Sequence, residues 1–163
     1  MANTIVKTQT EQVESFLGNT VQQLNDFLNE VTLSSLTAET SGGTDYVNLL
    51  LSNTRRLSVF CDEGHNACQV ILKSEPFRKS AAEKVLYNIY HQCIEEFFAP
   101  RNDAWYEDSR SAYTGKNSIQ FHEAPPETLK VLIRQLESDF QSIREELEYY
   151  ETDYRTKMIQ GNR

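Results

Sequence analysis

The chain has 163 residues and a formal net charge of -8, with a mass of 18.8 kDa and an isoelectric point near 4.9. That length predicts a single domain spanning 1–163, able to bury roughly 70% of its unfolded surface. No apolar run approaches the ~18 residues of a membrane span, no basic head precedes an apolar signal core, and the acidity argues against a nucleic-acid binder, which needs a basic face.

The first element reads as a helix. Thr8 and Glu11 have capping-box spacing, and Val13, Leu17, Val21, Leu24, Leu28 and Val31 then recur every three or four residues, forming one stripe. The pattern fades near Thr32, and Ser41-Gly42-Gly43 is a breaker. Residues 1–53 hold six acids against Lys7 alone, so most of the net charge sits in this first third. It serves either as a solvated helix face or as an acidic docking surface for a basic partner.

Three short apolar runs follow, at 46–51, 57–61 and 68–72. Asn53 falls between the first two, and Gly64 and Asn66 between the second and third, so the runs read as antiparallel strands joined by turns. Ser80-Ala81-Ala82-Glu83 is a second capping box, and Leu86, Ile89, Tyr90, Cys93, Ile94 and Phe97 predict a helix that Pro100 ends. Ala104-Trp105-Tyr106 starts an irregular strand or loop, and 111–114 and 118–122 flank Gly115-Lys116-Asn117 as a further hairpin.

Pro125-Pro126 opens the last helix. Leu129, Ile133, Leu136, Phe140, Ile143, Leu147, Tyr150 and Tyr154 advance by alternating steps of four and three, an a/d heptad seam. Continued to Gly161, this helix would reach roughly 50 Å, whereas a domain of this size has a radius of gyration of only ~15 Å. Its end should overhang the core, and Phe140, Ile143, Leu147, Tyr150 and Tyr154 are therefore assigned to a homodimer seam. The expected fold class is α+β in the order α-β-β-β-α-β-β-α, an antiparallel sheet of about five strands packed against helices.

Little in the chain carries catalytic chemistry. It has no Gly-x-Ser-x-Gly elbow, Walker loop, dinucleotide fingerprint or His-Glu-x-x-His motif. The acid pairs Asp62-Glu63, Glu95-Glu96, Glu107-Asp108 and Glu145-Glu146 read as solvated. Cys61, His65 and Cys68 cluster at the expected first hairpin, but Cys-x3-His-x2-Cys matches no familiar closed zinc pattern, and core thiols are the simpler reading. Three cysteines, Cys93 being the third, are an odd set for a secreted scaffold and point to the cytosol. No metal site and no cofactor are expected.

The stretch from Trp105 to Tyr113 mixes the single tryptophan with two tyrosines and both charge signs. Trp, Tyr and Arg dominate binding hot spots, so Trp105, Tyr106, Arg110 and Tyr113 are candidate partner-binding residues, with Trp105 as a mere core plug the competing reading. Phe77-Arg78-Lys79 with Lys73 and Lys84, and Arg55-Arg56, are basic patches, read as solvated charge or as contacts for an acidic partner.

The run from Trp105 to Gly115, with Glu151-Thr152-Asp153-Tyr154-Arg155 and the segment Val6 to Glu11, resembles the uncharacterised YpuI-like proteins of Bacillus-type Firmicutes over the whole chain. That family implies no activity and no catalytic residues. The element order is also similar to type III secretion chaperones and YbjN-like proteins, which implies a homodimer with grooves for extended partner segments. The expectation is thus a non-enzymatic, cytoplasmic, homodimeric protein-binding module. The alternative is an enzyme or small-ligand binder with a pocket near His91, Tyr113 and His122.

Overall fold

The computed structural model describes residues 2–108 and 117–161. It is mainly helical. Helix α1 spans Asn3–Glu30, α2 Leu33–Ala38, α3 Thr44–Lys73 and α4 Lys79–Ile89. A π-helical turn, Tyr90–Ile94, continues α4 directly into the short α5, Glu95–Phe98. Strands β1 (Trp105–Glu107) and β2 (Ile119–Phe121) come next, then α6 (Glu127–Glu146), a 3-10 turn (Glu148–Tyr150) and α7 (Asp153–Gly161).

The expected five-stranded sheet is absent among the described residues, which contain one two-stranded sheet. In it β1 and β2 run antiparallel, with Trp105 opposite Phe121 and Glu107 opposite Ile119. The three runs read as strands are instead one thirty-residue helix, α3. Its inward positions Val47, Leu50, Thr54, Leu57, Cys61, Gly64 and Cys68 are all buried and keep helical spacing throughout. Gly64, expected in a turn, lies inside α3. A Cβ there would lie 3.0 Å from Ile89 Cγ1 and 3.1 Å from Leu17 Cδ1, so glycine lets α1, α3 and α4 close on one another. With the strands goes the likeness to type III secretion chaperones, which rested on element order.

α1 and α3 pack antiparallel. Ser58 Oγ donates to Asn25 Oδ1 at 2.9 Å, and, further along, His65 Nε2 meets Glu14 Oε1 at 2.9 Å. Burying Val13, Phe16, Leu17, Leu24 and Phe27 on α1 supplies the apolar transfer that offsets the ordering of two long helices. Helix starts differ from the expected capping boxes. Thr8 lies inside α1, its hydroxyl donating to the Thr4 carbonyl, and α4 starts after Arg78 without a side-chain cap.

The C-terminal helix does not continue to Gly161 as one rod. It ends at Glu146, Leu147 leaves helical geometry (φ -100°, ψ 16°), and a 3-10 turn leads into α7. Beyond this break Tyr154 lies against Tyr87 of α4 at a ring separation of 5.3 Å and against Tyr150 at 5.5 Å. Phe140, Leu147, Tyr150 and Tyr154 are consequently buried within one chain, and Ile143 is half-buried against the core. Phe140 stacks on Phe97 (4.0 Å, 10°) and meets Phe16 edge-on (4.9 Å). The apolar seam is real, but it is satisfied intramolecularly and no longer calls for a second copy.

Candidate functional site

The end of the molecule that carries β1 is built from short elements held by specific polar contacts. The Tyr46 hydroxyl, at the start of α3, donates to the Ala104 carbonyl (2.7 Å) and accepts from the His122 N–H (3.0 Å), tying the entry to β1 to the exit from β2. Buried Glu137 of α6 accepts from the Ile119 N–H at 2.9 Å, and Arg134 donates to the Ile119 carbonyl at 2.7 Å. The sheet is thereby fixed to α3 and α6 even though three-residue strands have little stability of their own.

The π-turn shapes the opposite wall. Here the Glu95 N–H reaches the Tyr90 carbonyl five residues back, a widened turn that recurs at functional sites. It carries Tyr90, Cys93 and Ile94 inward, with Phe97 and Phe98 behind them.

Between the π-turn, α5, β1 and the C-terminal end of α6 lies an open-mouthed cleft of about 550 Å³, within the ~300–1,000 Å³ of small-molecule sites. Ile94, Phe98 and Trp105 form its apolar floor, and Tyr90 and Tyr106 its aromatic sides. Among the described residues four carboxylates line it, on Glu95, Asp103, Glu107 and Glu151, against one cation, Arg144. A second, smaller hollow beside it adds Glu145 and Glu148. Arg144 is already engaged on every side. Its guanidinium donates to both Glu107 oxygens (2.9 and 2.7 Å), bonds Gln141, and lies 3.6 Å over the Phe98 ring. Such two-toothed pairing holds both geometry and charge. His122 faces Asp103 at 3.2 Å and tilts against Tyr106 at the rim.

The Tyr90 phenol is pushed up to about 12, first by burial and then by the carboxylates of Glu151 and Glu95. It stays neutral at physiological pH and offers a ring face rather than a base. Among the described residues this end presents more carboxylates than cations, together with aromatic surface.

Of the residues singled out in the sequence, Trp105 is fully buried, its indole N–H donating to the Phe97 carbonyl at 2.6 Å. It is a floor residue, not a projecting anchor. Tyr106 is 41% exposed at the mouth. Arg110 and Tyr113 lie outside the described residues, as does the first arm of the expected second hairpin. His91 pairs with Glu95 at 3.0 Å on the outer side of the π-turn, whereas His122 sits at the cleft rim. The first hairpin does not exist, so Cys61, His65 and Cys68 are not gathered at one: both thiols are buried along α3 and His65 reaches Glu14. Cys93 donates to the Phe60 carbonyl at 3.2 Å.

Arg144, Glu95 and Glu151 were missed as site residues. Glu95 belongs to an acid pair read as solvated, yet its neighbour Glu96 is buried, 3.6 Å from Arg56, and accepts from the Arg101 N–H. Of the six acids in the first third, two are engaged by other helices of the fold. Glu14 pairs with His65, and Glu39 accepts from the Thr128 N–H and hydroxyl, capping the start of α6.

Compared with known proteins, residues 10–156 match DUF3907, a family described as proteins of unknown function. The chain is 47% identical over 151 residues, 93% of its own length and 84% of the relative's, to a Bacillus subtilis (strain 168) protein described as uncharacterized protein YpuI. No solved structure matches it. Among the described residues no helix is long and apolar enough to cross a membrane.

Proposed function

Because the chain belongs to the DUF3907 family, which brings no activity with it, we propose a role from its own geometry: a non-enzymatic cytosolic module that holds a segment of another protein in the aromatic, acid-lined cleft. The observation that carries this reading is the cleft itself, a concave, open-mouthed surface on a small helical protein whose polar groups are set for contact. Its floor is apolar and packed (Phe98 and Trp105 are held by ring and indole contacts) and its mouth bears an exposed Tyr106. Rigid aromatic surface surrounded by polar groups is the usual anatomy of a protein-binding patch. The reading concerns a single chain, since four of the five residues assigned to a dimer seam are buried within it and Ile143 is half-buried against its core. The cytosolic setting rests on three buried, unbridged thiols.

Site-specific photocrosslinking tests it. A photoreactive side chain at position 106, introduced in the native cell, should give a discrete protein adduct. The same group at position 70, on the outer face of α3 where Val70 is 65% exposed, should not. No adduct from position 106, or identical adducts from both positions, overturns the reading.

A further inference from the structure

We propose that the occupant of the cleft is a basic, extended segment of a partner protein, seated by a lysine or arginine side chain whose cationic head lies among Tyr90, Tyr106, Glu95 and Glu151. This rests on the protein-binding reading above and adds the chemistry of what is bound.

Charge decides the sign of the occupant. Among the described residues, four carboxylates against one guanidinium leave the cleft lining with an excess of negative charge, and Glu145 and Glu148 of the neighbouring hollow extend it. An anionic segment would have to take Arg144 from Glu107, breaking two hydrogen bonds at 2.9 and 2.7 Å and leaving the Glu107 carboxylate unpaired beside the intruding anion. Removing one partner of such a pair costs more than the pair contributes. A cation needs no such rearrangement: neither Glu95 nor Glu151 is held by Arg144, and His91 meets only one of the two Glu95 oxygens, Oε1.

Ring chemistry decides what kind of cation. Tyr rings attract a desolvated ammonium or guanidinium through their negative faces, and Arg144 over Phe98 already displays this mode within the cleft. Tyr90 is kept neutral by its surroundings, so it contributes a face without competing as an anion. A bare metal ion would instead call for clustered oxygen donors, and no group of His, Cys, Asp or Glu among the described residues is arranged to hold one. Shape then favours a side chain delivered by a chain: the cleft opens to solvent and runs beside β1, whereas small ligands are generally buried over most of their surface.

The experiment uses the full chain and the emission of Trp105, the single tryptophan, which forms the cleft floor and so reports its occupancy. Three synthetic peptides of equal length are titrated: one alternating Lys/Arg with Ser, one with norleucine and citrulline in place of Lys and Arg, and one with Glu. Saturable binding of the first alone, at least about tenfold tighter than the neutral peptide and weakened by salt, is expected. Glu151→Gln and Tyr106→Ala should each weaken it several-fold. Glu63→Gln, an exposed acid on α3 away from the cleft, should leave it unchanged.

Equal binding of the neutral peptide overturns the cationic occupant, as does equal weakening by Glu63→Gln, which would mean bulk attraction. Saturation by n-butylamine as tight as the basic peptide overturns the segment in favour of a free amine. If no basic peptide binds while position 106 still crosslinks a protein, this inference fails and the protein-binding reading stands. If neither occurs, both fall.

Discussion

Along α1 and α3 most inward positions are aliphatic, aromatic or small residues packed at helical spacing. Of the polar groups there, Thr10, Thr20 and Thr54 bond carbonyls of their own helices, and Glu14 meets His65 and Asn25 meets Ser58 across the interface. The buried Asn53 amide has no partner among the described residues. The cleft end is different. It is assembled from a five-residue π-turn, a four-residue helix and two three-residue strands, and it collects carboxylates on one concave surface. Continuous helices spread their stability over many small contacts, so they are poor places to leave charge unmatched. Short elements pinned at a few points, such as Tyr46 and Glu137, can present charge and ring faces without disturbing a core. Binding surfaces are expected where backbone regularity is broken but rigidly supported.

The largest expected effect comes where the two regions meet. Phe140→Ala removes the ring that stacks on Phe97 and meets Phe16 and should cost about 3–5 kcal/mol, seen as a fall of roughly 6–20 °C in melting temperature. A smaller fall would mean that the cleft end and the long helices are less coupled than this packing implies.

Gly64→Val strikes the helical side alone. The added side chain meets Ile89 and Leu17 at 3.0–3.1 Å and should destabilise by about 1–3 kcal/mol while leaving peptide affinity at the cleft unchanged. Altered affinity would show that the π-turn, whose Cys93 also faces Gly64, transmits packing changes to the site.

Alkaline titration sharpens the contrast further. Burial pushes the Cys68 thiol up to about 12 from its usual 9.0, with Glu14 and Cys93 adding to the effect. The folded chain therefore keeps a proton that the unfolded chain releases, so this stability is full below the thiol's ordinary value and is lost as pH rises from about 9 towards 12. Each such group removes at most about 1.4 kcal/mol per pH unit. Urea midpoints should decline across that window, and Cys68→Ala should flatten the decline.

The smallest change expected is none. Light scattering at micromolar concentration should return one chain of 18.8 kDa, because Leu147, Tyr150 and Tyr154 are covered internally. A mass twice as large would show that another surface pairs.

How much of this was legible in the sequence differs by element. The stripes of α1 and α4 and the start of α6 after Pro126 follow from spacing alone, since burial of one helix face is a local pattern. α3 carried the same period, but two of its inward positions are Thr54 and Gly64, whose meaning depends on what packs against them. The break after Glu146 left a trace in Thr152-Asp153, residues that start helices, yet the heptad spacing ran across it undisturbed.

By itself the sequence determined which residues are apolar at helical intervals, the excess of acid over base, and the absence of familiar catalytic motifs. Tertiary structure alone decided that α3 is one helix, that the C-terminal seam closes on its own chain, and that Glu95, Glu107, Arg144 and Glu151 share one cleft. The reason is physical. Periodicity is a property of neighbours along the chain, whereas a glycine's packing role, the covering of an apolar seam and a charge cluster exist only once distant segments touch.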